Sequence, residues 1–133
     1  MTKVLVTGGA GFIGSTLVRK LLKMNYYVTV FDNLSTGIRE NLPKNSQLKL
    51  IEGDVADFSL VSRAIKDHSH VMHLAAQAFI PFSYQEPLQV AEVNALGSIN
   101  VLKACADNKV KRLVHISSSE VYGPAQYKPM NEK

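Results

Sequence analysis

An α/β fold built on a doubly wound parallel sheet is predicted by three features of this chain. Apolar, β-branched segments alternate with segments of helical spacing almost from end to end. The first of them, Lys3-Val4-Leu5-Val6-Thr7, runs directly into Gly8-Gly9-Ala10-Gly11-Phe12-Ile13-Gly14, and the helical pattern Ile13, Leu17, Val18, Leu21, Leu22 follows. An acidic residue, Asp32, closes the second strand segment eighteen residues beyond Gly14. Strands alternating with helices pair in parallel through right-handed crossovers. A nucleotide-binding first unit of this kind has the strand order 3-2-1-4-5.

The glycine turn has a specific physical purpose. Gly8 permits a tight turn at the end of the first strand, and Gly11 lets backbone approach an anion with no side chain in the way. Gly14 lets the helix pack close to the strand. The helix N-terminus then presents unpaired N–H groups, so the turn fits a pyrophosphate. Glycines alone would mark only a turn; their place between a strand and a helix is what gives them a ligand. The second strand, Tyr27-Val28-Thr29-Val30-Phe31, delivers Asp32 at the spacing of a carboxylate that accepts hydrogen bonds from an adenosine ribose. A carboxylate there repels the extra phosphate of NADP, and no Arg or Lys follows until Arg39, so the pattern predicts NAD. The alternative for Asp32 is a solvated strand-end residue that starts a turn with Asn33.

Leu34 to Pro43 reads as a polar turn region containing Ser35-Thr36-Gly37, with at most one helical turn. A third strand covers Leu48 to Glu52 and ends in Gly53-Asp54-Val55. Asp57 is placed to cap a helix over Phe58 to Lys66, with Leu60, Val61, Ala64 and Ile65 buried. The short fourth strand, Val71 to Leu74, leads into Ala75-Ala76-Gln77. A loop with Pro81 and Pro87 precedes the longest helix, about Pro87 to Asp107. Its expected buried face is Leu88, Ala91, Ala95, Ile99, Leu102 and Ala106. The fifth strand, Arg112 to Ile116, ends at Ser117-Ser118-Ser119-Glu120-Val121-Tyr122-Gly123. Ligands in such sheets bind beyond the carboxyl ends of the strands, a rule that gathers these segments around one crevice.

The totals are those of an ordinary globular domain: 133 residues, 46% hydrophobic and 20% charged. Its net charge of +4 is scattered. The tightest basic group, Lys109, Lys111 and Arg112, reads as a solvated helix-to-strand connection, so nucleic acid is not an expected partner. The single cysteine, Cys105, excludes an intrachain disulfide and fits a reducing compartment. No apolar run approaches the roughly 18–20 residues of a membrane span, and the N-terminus lacks a signal-peptide layout. A cytoplasmic protein without a membrane partner is expected. The four histidines lack convergent carboxylates, so no metal site is expected. His73 and His115 are expected as satisfied polar residues within strands.

With these motifs in place, the chain resembles the extended short-chain dehydrogenase/reductase family, specifically the NAD-dependent nucleotide-sugar epimerases and dehydratases, with their Rossmann-type fold. The resemblance rests on the glycine turn from Thr7 to Gly14, on Asp32-Asn33-Leu34, Gly53-Asp54-Val55 and His73-Leu74-Ala75-Ala76, and on Asn94 and Ser117 to Gly123. It implies that Phe12 and Ile13 join the pyrophosphate turn, that Asp54 and Val55 contact the adenine, and that Ala75 and Ala76 line the path to the nicotinamide. It also assigns Asn33, Ser35, Thr36, Gly37, Leu74 and Gln77 to the cofactor site, which Asn94 braces from the long helix. Ser118 stands as the active-site hydroxyl, and Ser83 and Ser119 are assigned to a nucleotide-diphosphate sugar.

Such enzymes take the sugar hydroxyl proton with a Tyr-x-x-x-Lys pair. None of the five tyrosines here has a lysine four residues later. The expectation is therefore the cofactor part of a larger enzyme: residues 1–123 as an incomplete NAD-binding domain, and 124–133 as a loop toward an absent catalytic helix. The resemblance implies oxidation of the sugar at C4 to a transient ketone. Glu120 stands where dehydratases carry an acid, which leans the reading toward a 4,6-dehydratase over a 4-epimerase; the alternative for Glu120 is an exposed strand-end charge. A different class of function, a non-catalytic NAD-binding module, also fits a chain without the Tyr-x-x-x-Lys pair. A truncated sheet predicts exposed apolar surface and self-association, with a homodimer as one outcome.

Overall fold

The computed structural model describes residues 2–125 and 127–131. Five parallel strands form one sheet: β1 (Lys3–Thr7), β2 (Tyr27–Asp32), β3 (Leu48–Glu52), β4 (His70–His73) and β5 (Arg112–His115). Their order is β3-β2-β1-β4-β5, as predicted. The helices are α1 (Phe12–Lys23), α2 (Phe58–Ile65), α3 (Ile80–Gln85), α4 (Pro87–Ala91) and α5 (Gly97–Asp107). A π-helical turn, Glu92–Leu96, joins α4 to α5, and single 3-10 turns lie at Arg39–Asn41 and Ser119–Tyr122. No helix among the described residues is long and apolar enough to cross a membrane.

Side-chain alternation along β1 divides the core in two. Val4 and Val6 point with Val28 and Val30 of β2 to one face, where Val18, Leu21 and Leu22 of α1 cover them. Leu5 points with Phe31 and Val71 to the other, against Val61, Ala64 and Ile65 of α2 and Val101, Ala104 and Cys105 of α5. Covered on both sides, the central strand β1 carries the unbroken apolar run Val4-Leu5-Val6. Asp57 caps α2 as expected, its side chain accepting from the Leu60 N–H at 3.0 Å. Burial pushes the Cys105 thiol up to about 11, which leaves it a packing residue rather than a nucleophile.

Two expectations are corrected. The segment around Pro81 is not a loop, because Pro81 and Pro87 open α3 and α4 at first-turn positions where a missing N–H costs nothing. More consequentially, the long helix buries a different face from the expected one. Leu88, Ile99 and Leu102 are 81%, 59% and 49% exposed, and Ala91, Ala95 and Ala106 face solvent with them. The packed positions are Val93, Gly97, Asn100, Val101, Ala104 and Cys105. Both stripes recur every three to four residues, so periodicity alone does not separate them. Gly97 and Asn100 decide it. A Cβ on Gly97 would stand 2.5 Å from Val55 Cγ2, and the Asn100 amide donates to the carbonyls of Val55 and Ala56 at 3.0 and 2.9 Å.

Beyond β5 the described residues place no strand, and Val114 and Ile116 at that edge are exposed, as the sequence anticipated. The choice of helix face is directly testable. Val101→Ala is expected to cost about 2 kcal/mol in urea denaturation, whereas Ile99→Ala stays within about 0.5 kcal/mol. Equal losses at the two positions would contradict the packing.

Candidate functional site

The carboxyl ends of the strands surround an open crevice of about 280 Å³. Its floor is the glycine turn. Gly8 follows β1 with φ +66°, and a Cβ there would stand 2.8 Å from the Ala75 nitrogen, so only glycine closes this turn without displacing the next strand's exit. Gly14, in the first turn of α1, is tighter still: its Cβ would lie 2.1 Å from the Gly8 carbonyl oxygen. Gly11 caps α1 without any side-chain hydrogen bond, and the first turn carries no acidic residue. A helix start with no side-chain cap and no acidic residue in its first turn is the donor set that an anion's oxygens fit.

One wall comes from the end of β2. Asp32 is buried, and each of its oxygens accepts one backbone N–H, Oδ2 from Ala10 and Oδ1 from Leu34, both at 2.9 Å. A carboxylate offers about four lone-pair positions, so two bonds hold its orientation while capacity for ligand hydroxyls remains. Asn33 continues the wall, accepting from the Ser35 N–H and hydroxyl and donating to Asp54 Oδ2 at 2.8 Å. The loop through Gly37 is pinned to the glycine turn, because the Ala10 carbonyl accepts from the Ile38 N–H and the Asn41 amide.

The opposite wall is the segment after β4. Leu74, Ala75, Ala76 and Gln77 line the crevice, and Asn94 clamps Gln77 from behind, accepting its N–H at 2.8 Å and donating to its carbonyl at 3.0 Å. Asn94 lies in the π-helical turn, a local distortion common at functional sites. The structure thus brings Gly8, Gly11, Phe12, Ile13, Gly14, Asp32, Asn33, Ser35, Thr36, Gly37 and Val55 into one crevice with Leu74 to Gln77. Asp54 and Asn94 stand behind that lining, holding Asn33 and Gln77.

Besides Asp54 and Asn94, four further expected residues are not in the lining. Ser118, Ser119 and Glu120 are exposed beyond β5, and Ser83 donates its hydroxyl to the Ile80 carbonyl at 2.7 Å within α3. Phe31, Gly53, Val93 and Ile116 line the crevice without having been anticipated. Phe31 and Ile116 are the last apolar residues of predicted strands and Gly53 follows one, so the strand-end rule could have flagged all three. Val93 reaches the crevice from the π-helical turn, which no sequence pattern announced.

His73 is a satisfied core polar residue, as expected, bonded to Thr7 at 2.6 Å and Ser98 at 3.1 Å. His115 lies within β5, as expected, and is exposed, its ring 5.2 Å from that of His73. Among the described residues no group of three His, Cys, Asp or Glu converges to hold a metal ion.

With this geometry in hand, comparison with known proteins becomes specific. Residues 5–133 match the family model described as GDP-mannose 4,6 dehydratase. The chain belongs to the nucleotide-sugar epimerase and dehydratase family. It is 42% identical to a UDP-glucose 4-epimerase of Lactobacillus helveticus, over 98% of this chain and 39% of that protein. A solved UDP-N-acetylglucosamine 4-epimerase from Methanobrevibacter ruminantium, in complex with UDP-N-acetylmuramic acid, superimposes with a TM-score of 0.91 at 40% identity, covering 98% of this chain and 42% of the other. The UDP-glucose 4-epimerase of Thermus thermophilus in complex with NAD gives 0.78 at 45% identity, covering 84% and 36%. The chain therefore spans about two fifths of the length of these relatives. All three are named 4-epimerases, so the lean toward a dehydratase drawn from Glu120 finds no support among them.

Two measurements test the site's construction. Gly14→Ala forces the Gly8 carbonyl aside and is expected to cost at least about 2 kcal/mol in denaturant unfolding; wild-type stability would refute the close approach. His73 sets a pH dependence. Burial first, and the neighbouring His115 second, push its pKa from 6.5 down to about 4. The unfolded chain binds this proton before the native one as pH falls, so stability present above pH 6.5 declines toward about pH 4. The total is on the order of 3 kcal/mol. Unfolding curves across that window should show the decline in wild type and a weaker one in His73→Gln.

Proposed function

We propose that this chain is the NAD-binding part of a nucleotide-sugar 4-epimerase acting on a UDP-sugar. The observation that carries the reading is the pairing, in one crevice, of an uncapped glycine helix start with a buried, backbone-held Asp32. Phosphate needs the first and ribose the second. The N–H groups at the start of α1 would hold the pyrophosphate, and Asp32 would accept the adenosine ribose hydroxyls. Val55, with Asp54 behind Asn33, would flank the adenine. Leu74 to Gln77 would form the wall beside the nicotinamide. NAD, when bound, supplies a hydride acceptor for C4 of the sugar.

Ser118 is the proposed hydroxyl that orients the sugar. Its oxygen accepts from the Glu120 N–H at 3.2 Å, and among the described residues no acceptor takes its proton, which leaves it for a substrate oxygen. Glu120 then reads as an exposed strand-end charge. The similarity to 4-epimerases solved with NAD and with a UDP-sugar supports the cofactor and the substrate class.

Calorimetric titration tests the cofactor reading. NAD should bind and NADP should bind at least about tenfold more weakly, since a buried carboxylate faces the extra phosphate. Asp32→Ala should weaken NAD and close the gap between the two. Equal affinity of the wild-type chain for both dinucleotides would remove Asp32 from the ribose. A longer chain carrying these residues should interconvert UDP-glucose and UDP-galactose without releasing a 4-keto-6-deoxy sugar; accumulation of that product would restore the dehydratase.

A further inference from the structure

Behind the Leu74–Gln77 wall, three polar side chains that do not touch the crevice are threaded into one chain of hydrogen bonds. Thr7, at the end of β1, and His73, at the end of β4, are buried to 1% exposure or less, and Ser98 lies in the first turn of α5. The proton on each can be assigned from its neighbours. Thr7 Oγ1 accepts from the Ala75 N–H and shares the Leu74 N–H with the Thr7 carbonyl, each at 3.2 Å. A hydroxyl has two acceptor positions and one proton. With both positions taken, the proton goes to the remaining partner, His73 Nδ1, at 2.6 Å. Nδ1 is then an acceptor, so the ring's hydrogen is on Nε2 and is donated to Ser98 Oγ at 3.1 Å. Ser98 passes its own proton to the Asn94 carbonyl at 2.7 Å. The same Asn94 holds Gln77 by two bonds.

We infer that His73, as the neutral Nε2–H tautomer, is a positioning residue of the cofactor crevice, coupling Thr7 to Ser98 so that the backbone from Leu74 to Gln77 is fixed at both ends. The inference rests on the dinucleotide reading for its functional consequence, though not for the network itself. The direction of every bond follows from one choice of tautomer. A protonated His73 would aim a second N–H at Thr7 Oγ1, which already accepts two. The groups facing the imidazole favour the neutral form. His115 of β5 is the titratable neighbour, and its charge opposes a second one. β1 and α5 offer only the hydroxyls of Thr7 and Ser98. Among the described residues no carboxylate stabilises an imidazolium here. The coupling matters because the wall has no slack: the Ala75 nitrogen sits where a Cβ on Gly8 would reach it at 2.8 Å. A shift of Ala75 is felt at once by the glycine turn beneath the pyrophosphate.

Long-range ¹⁵N–¹H NMR of the imidazoles in the free chain reads the tautomer directly. His73 should be neutral and Nε2-protonated from about pH 8 down to about pH 5. An Nδ1–H tautomer or an imidazolium at neutral pH would overturn the inference. The functional arm compares Thr7→Val, which keeps the shape without the hydroxyl, with Thr7→Ser, which keeps the hydroxyl. Thr7→Val should exchange the Ala75 amide at least about tenfold faster, lose the single tautomer and weaken NAD by about tenfold. Thr7→Ser should restore all three to within about threefold. Wild-type NAD affinity in Thr7→Val, with the Ala75 amide still protected, would overturn it. If wild type itself does not bind NAD, the dinucleotide reading fails. The positioning role then falls with it, while the tautomer and amide-exchange results still decide whether the network exists.

Discussion

The close approach of two glycines at the end of β1 is the constraint from which the site follows. With 2.1 Å between a Gly14 Cβ and the Gly8 oxygen, and 2.8 Å between a Gly8 Cβ and the Ala75 nitrogen, strand, helix and neighbouring strand exit meet with no side chain between them. That contact sets where the α1 N-terminus points. It also sets how far the walls of the crevice stand apart. Apolar burial on the two faces of the sheet holds the elements together, but it acts over whole surfaces and tolerates small displacements. Backbone against backbone does not.

Around this contact the polar groups are arranged so that none is spent on the ligand's behalf before the ligand arrives. Asp32 is held by two backbone N–H groups and keeps its remaining lone pairs. Asn33 and Asp54 satisfy each other, and Asn94 is committed to Gln77. The start of α1 is left without a side-chain cap. A site built this way is preorganised: the groups that would meet phosphate and ribose are oriented in advance by bonds to backbone, which lowers the ordering cost of binding.

The long helix shows how two apolar stripes on one element are resolved. One contains Val93, Gly97, Val101 and Ala104 and is packed; the other contains Leu88, Ile99 and Leu102 and is exposed. The exposed stripe is the richer in large apolar side chains. The packed stripe carries a glycine that admits Val55 and an asparagine that answers two otherwise unpaired carbonyls of the loop after β3. Buried hydrogen bonding and backbone proximity chose the face, against the larger apolar side chains of the other.

Much of this was legible in the residues. The five strands, their order, the cap of α2 by Asp57 and the strand-end segments that surround the crevice follow from local patterns: alternation, helical spacing, glycine position and the rule that ligands lie beyond strand ends, while the family resemblance implied individual members such as Phe12, Ile13 and Ser35. Each depends on residues near one another in sequence, or on a topology that chirality restricts to a few forms. The sequence alone therefore determined the fold and most of the crevice. The buried face of α5, the reach of Val93 into the crevice and the tautomer of His73 were decided only by tertiary structure. Each depends on partners far apart in the chain: Gly97 on Val55, Asn94 on Gln77, His73 on Thr7 and Ser98. A periodic pattern records which residues are apolar, but not which neighbour will supply a matching donor or the space for a backbone, and those pairings exist only once the chain has folded.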